Sequence, residues 1–109
     1  MKAELEIKLG DKIYIMRPDF NALISMEEKC GIGIQGMAQL IMDSNVTLKM
    51  VSVIIWAGIV GGGSKELSYE QVGELIVKQG FNSVAPHAIK LLQNAMLGKK
   101  DSEVAEKNG

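Results

Sequence analysis

From Met50 to Val60 the chain reads MVSVIIWAGIV, an apolar run broken by a single serine, and it then meets three consecutive glycines, Gly61 to Gly63. A helix over about Thr47 to Val60 is apolar nearly all round beyond Met50, so it must be the buried centre around which the rest packs. The run is too short for the roughly 20 residues of a membrane-spanning helix. Beyond the glycines a well-signalled new helix begins. Ser68 is an N-cap and Gln71, three positions on, completes a capping box, with Leu67 and Val72 placed as a hydrophobic staple. Glu70 in the first turn sits at the positive end of the helix dipole.

The 109 residues suit one domain, 47% hydrophobic but only 5% aromatic, so aliphatic and methionine side chains must fill the core. Ala3, Leu5, Ile7 and Leu9 alternate with charged residues as in a strand with one wet face. Gly10-Asp11 fits a type II′ hairpin turn. Lys12 to Arg17 returns as a second strand, with Ile13 and Ile15 on one side and Tyr14 and Met16 on the other, and Pro18 stops it. Such a hairpin is marginal alone and must lie against helices.

Asp19 caps a helix running to Cys30, which Gly31 and Gly33 end. A short helix covers Ile34 to Met42, with Asp43, Ser44 and Asn45 offering a turn and a cap. Val72, Leu75, Ile76 and Gln79 define the inner face of the helix that Gly80 closes. Asn82 or Ser83 caps the last helix, Pro86 falls within its first turn, and Val84, Ala88, Leu91, Leu92 and Ala95 form its stripe. The expected fold is α+β, mostly α: an N-terminal β-hairpin followed by about five short helices in one compact domain over 1–98. Residues 99–109 are expected to be a polar, disordered tail.

The sequence is poor in catalytic or ligand-binding signatures. Gly31 to Gly36 matches G-x-G-x-x-G, but a helix precedes it and no acid lies some 20 positions on, so it reads as a helix end and tight turn. Gly58 to Lys65 (GIVGGGSK) has P-loop-like glycine spacing, yet Ser64 and Lys65 are in reversed order, and a flexible interhelical turn accounts for it better. His87, the lone histidine, has no partner at ligand spacing. Glu27 and Glu28 are adjacent and diverge around the helix. The single cysteine, Cys30, excludes an internal disulfide and suits a reducing compartment. A net charge of −1 gives no basic field for nucleic acid. The N-terminus lacks the apolar stretch of a secretory signal, so the chain is expected in the cytoplasm. No enzyme activity, cofactor or metal site is expected.

Taken in order, these features resemble a known family. The residues are a hairpin ending in Arg17; Phe20-x-x-Leu23-x-x-x-Glu27 leading to a glycine turn; the apolar helix with Ala57-Gly58; Ser68-x-Glu70-x-Val72-x-x-Leu75-Ile76; and a last helix ending Ala95-Met96-Leu97-Gly98. The pattern is similar to that of the small tail proteins of phages and gene transfer agents classed as tail assembly chaperones, over about Ile7 to Gly98. The resemblance implies a non-enzymatic role in tail morphogenesis in the bacterial host cell. Such chaperones coat the helical tape measure protein and help recruit tail tube subunits. The family brings no catalytic residues.

Six internal methionines (Met16, Met26, Met37, Met42, Met50, Met96) fill core gaps or furnish an adaptable apolar groove for a partner helix. Met37, Met42 and Trp56 are the candidate residues of a groove beside the Met50 to Val60 helix, with the tape measure and tail tube proteins as partners and self-association left open. Two rival readings stand beside this one. The first is a structural component, minor or tail-tube-associated, retained in the mature tail. The second is a helical DNA-binding regulator, for which His87 and Lys90 make a poor phosphate footprint. Gly98-Lys99-Lys100 is compatible with a ribosomal frameshift site, which a coding sequence lacking a run of G and A would dismiss.

Overall fold

The computed structural model describes residues 3–98; the polar tail expected at 99–109 lies outside them. Two strands and five helices run in order: β1 (Leu5–Leu9), β2 (Lys12–Met16), α1 (Phe20–Cys30), α2 (Ile34–Met42), α3 (Leu48–Gly61), α4 (Tyr69–Gln79) and α5 (Phe81–Leu97). The mostly helical α+β architecture with an N-terminal hairpin is the one the sequence predicts.

The strands pair antiparallel with Leu9 opposite Lys12, leaving Gly10-Asp11 as the two-residue turn. Gly10 has φ +66 while Asp11 stays out of the positive region, as a type II′ turn requires. The period-two pattern sends Ile7, Leu9, Tyr14 and Met16 into the core, and Ile13 and Ile15 to the outer face. α3 is the centre, with β2, α1, α4 and α5 packed around it. Met50, Val51, Val53, Ile54, Ile55, Ala57 and Ile59 are all buried along its length.

The ends of α1 and the start of α4 obey the side-chain chemistry read in the sequence. The Asp19 carboxylate accepts from Ala22 N at 2.8 Å and Gly31, at φ 74, closes α1. Ser68 and Gln71 form the reciprocal capping box. Thr47 is a cap rather than the first helical residue, its hydroxyl accepting from Met50 N at 3.1 Å.

Two expectations are corrected. Neither Asn82 nor Ser83 caps α5, which starts at Phe81 directly after Gly80 (φ 108, ψ 119) and has no side-chain cap. Partly buried Phe81 packs on the core and draws the helix start back to it. Ser83 instead donates its hydroxyl to the carbonyls of Gly80 and Gln79 at 3.0 and 3.3 Å, closing the end of α4. Pro86 therefore lies in the second turn, where its missing N–H leaves the carbonyl of exposed Asn82 without a helical donor.

The second correction concerns the glycine segment. Gly58 and Gly61 lie inside α3 and Gly62 caps it, so these are packing positions and not a flexible turn. A Cβ on Gly61 would collide with the Arg17 carbonyl oxygen, and one on Gly62 with that of Ile15. Arg17 N donates to the Gly58 carbonyl at 2.9 Å, so strand and helix meet backbone to backbone.

Long-range polar contacts fasten the hairpin. The Gln79 amide accepts from Gly10 N at 3.0 Å and donates to the Lys8 carbonyl at 2.8 Å. Glu66 accepts from Lys12 at 3.0 Å and from the Tyr14 hydroxyl at 2.9 Å. Arg17 pairs with Glu4, and Asn94 donates to the Ala3 carbonyl at 3.3 Å.

Candidate partner-binding groove

Along one side of α3 the surface opens into an apolar groove of about 570 Å³. Leu48, Lys49 and Ser52 of α3 form one wall; Tyr69, Glu70, Gly73, Glu74 and Val77 of α4 form the other. The amphipathic spacing of α4 sets this arrangement. Val72 and Ile76 turn into the core and fix the helix, which leaves Gly73 and Val77 facing outward into the groove. Leu48 is 43% exposed and Val77 62%, so two aliphatic side chains stand open at its edges.

Its floor is made of small groups. Gly73 is a mid-helix glycine, which is about 1 kcal/mol less favourable than alanine at such a position. A Cβ there would meet the Ser52 Oγ at 3.5 Å, an ordinary van der Waals distance, so the chain's own packing does not require the glycine. Ser52 is the one buried polar side chain among the described residues, 3% exposed, and its hydroxyl makes no hydrogen bond among them. Leaving a buried hydroxyl unsatisfied costs about 1–3 kcal/mol. Glu70 and Glu74, exposed and one turn apart, line the α4 wall opposite Lys49, and none of the three joins an ion pair among the described residues.

The candidate groove residues from the sequence fall in three different places. Met37 is fully buried in α2 and presents no surface in this conformation. Met42 is 78% exposed and lines a separate small hollow with Ala38, Ile41, Leu92, Gln93 and Met96. Trp56 is half-buried on α3 and meets Tyr69 edge to face at 6.4 Å between ring centres, with the Lys29 ammonium 4.9 Å from the Tyr69 ring and 5.4 Å from the Trp56 ring. Tyr69 thus links Trp56 to the groove, while Met42 lies apart. Met16, Met26, Met37 and Met50 are core fillers, and Met42 and Met96 reach the surface. Gly73, Ser52, Glu70 and Glu74 are absent from the residues expected at the groove; the signal for them in the sequence is a glycine inside an otherwise strong amphipathic helix, between like charges spaced i, i+4.

The G-x-G-x-x-G string serves two helix ends. Gly31 N donates to the Glu27 carbonyl, and the Glu27 carboxylate accepts from Ile34 N at 3.0 Å. The chain's own carboxylate thus occupies the anion position at the start of α2. Burial, against a smaller opposing pull from Lys49, pushes the Cys30 thiol up, which suits a packed residue more than a nucleophile. His87 is exposed on α5. Among the described residues no group of His, Cys, Asp or Glu side chains could hold a metal ion, and no helix is long and apolar enough to cross a membrane.

Hairpin, buried central helix and open α3–α4 groove together define a small, mostly helical α+β domain whose exposed features are apolar and charged surfaces. The chain belongs to the phage tail tube protein family, GTA-gp10, whose model matches residues 2–98. This is a family of the structural tail-protein type, and membership gives the protein a structural or morphogenetic role in a phage or gene-transfer-agent tail. No curated protein and no solved structure matches the chain.

Proposed function

We propose that the protein is a tail assembly chaperone: in the host cytoplasm it binds helical stretches of the tape measure protein and helps bring tail tube subunits to them. The observation that carries this reading is the open α3–α4 groove with Leu48 and Val77 exposed at its edges. A long tape measure helix presents apolar stripes that aggregate unless covered, and a groove of this kind accepts an amphipathic helix. Trp56 contributes through Tyr69, and Met42 supplies a secondary contact beside Met96. Met37 acts by holding α2 in place.

The test is co-expression of the tagged full chain with the tape measure and tail tube proteins encoded beside it, followed by pull-down and mass spectrometry. Soluble tape measure protein, recovered only in the presence of this chain, is the expected result. Trp56→Ala and Met42→Ala should weaken that recovery with helicity intact, whereas Met37→Ala should lower the thermal midpoint. The family description favours a second reading, a component associated with the tail tube and retained in it. A stoichiometric band in purified tails, with no capture of tape measure protein, would replace the first reading by the second.

A further inference from the structure

We propose that the α3–α4 groove receives one helix of the partner at close backbone range, and that this helix carries Lys or Arg along the edge facing Glu70 and Glu74. The inference rests on the chaperone reading for the partner's identity and adds the chemistry by which it is recognised.

Three independent features point to such an occupant. Gly73 sits mid-helix although the chain leaves room for a Cβ there, with Ser52 Oγ at van der Waals distance. Glycine weakens α4 without relieving any internal contact, and its effect is to keep the groove floor low. A second helix can then lie closer than any side chain at position 73 would allow. The buried Ser52 hydroxyl faces that same point and has no partner among the described residues. A hydrogen-bonding group arriving from outside, such as a serine, threonine or amide side chain, would satisfy it.

Charge sets the orientation. Glu70 and Glu74 repel one another at i, i+4 on the free protein and join no ion pair among the described residues. A basic edge on the incoming helix relieves that repulsion, while Lys49 on the opposite wall favours an acidic or amide group there. The partner helix therefore lies with small and apolar residues toward Gly73, its basic edge toward α4 and its acceptor edge toward α3.

The experiment measures binding of overlapping peptides from the neighbouring tape measure protein to the full chain, at low and high salt, with circular dichroism on every variant. Peptides combining small residues with Lys or Arg at i, i+4 spacing should bind best. Gly73→Leu should weaken them at least about tenfold by filling the floor. E70K/E74K should weaken them about tenfold, and a peptide whose basic residues are exchanged for Glu should recover binding to that variant. Gly73→Ala, melting no lower than wild type, controls for folding.

Peptides that bind wild type, Gly73→Leu and E70K/E74K alike, with no salt dependence, would overturn this inference and leave the chaperone reading standing. Wild-type protein that captures neither peptides nor intact tape measure protein would end that reading and this inference with it. Self-association abolished by Gly73→Leu, with tape measure binding unchanged, would give the groove to a second copy of the chain and overturn the proposal.

Discussion

Helix α3 meets its surroundings at two glycine-lined contacts that work in opposite ways. At its C-terminal end Gly61 and Gly62 let β2 and the segment after it lie directly on the helix, and the space is filled by backbone, while Gly58 makes room for the side chains of Leu91 and Met16. Against its N-terminal half Gly73 of α4 stands over Ser52, and the space is left open. Glycine at the first contact is a requirement of the fold. At the second it is a departure from the best helix, made where the surface is accessible. The residue type alone does not distinguish them; the atom a Cβ would meet does.

That difference can be broken by substitution. Gly62→Ala should have the largest effect: at φ −79 the backbone suits any residue, so the whole penalty is the clash with the Ile15 carbonyl. A loss of about 4 kcal/mol or more is expected, read as failure to fold or a collapsed denaturation midpoint. Gly58→Ala should be milder, about 1–3 kcal/mol, because its Cβ would meet the end of a side chain, Leu91 Cδ2 at 2.6 Å, along with Met16 Cβ at 3.1 Å. Gly73→Ala should have the opposite sign, stabilising by up to about 1 kcal/mol in chemical denaturation. A destabilised Gly73→Ala, or a Gly62→Ala that melts like wild type, would erase the contrast.

The smallest effect sharpens the hairpin side. Hydrogen bonds from Lys12 and then Tyr14 hold the Glu66 carboxyl below its ordinary value. Its contribution is complete above about pH 4.5 and is lost as pH falls through the lowered folded value. Lys12 is raised chiefly by its hydrogen bond with Glu66, and Tyr14 by burial and then the same carboxylate; their contributions persist below about pH 10 and fade above it. Thermal midpoints of Glu66→Gln should therefore fall less than those of wild type on acidification below pH 4.5 and on going above pH 10.

Much of the fold was legible because local chemistry decides it. Asp19, Gly31, Ser68 and Gly10 act on their immediate neighbours, so capping and turn rules place them correctly, and α2 has the bounds its apolar spacing gives. What escaped depends on contacts far apart in sequence. Gly61 and Gly62 look like a flexible link until Ile15 and Arg17 are laid across them. The start of α5 is set by Phe81 packing rather than by the hydroxyl of Ser83. The groove lies beside α3 as expected, but its second wall comes from α4, and only the packed structure shows that Met37 is sealed and Met42 stands elsewhere.

The clamp between Gln79 and the hairpin turn bears on how the chain is made. Gln79 grips Lys8 and Gly10 across some seventy positions, and Asn94 reaches Ala3. A two-stranded hairpin is barely stable by itself. The hairpin leaves the ribosome before the helices that hold it and is thus among the last elements to find its partners: β2 waits for α3, the turn waits for α4, and Ala3 waits for α5.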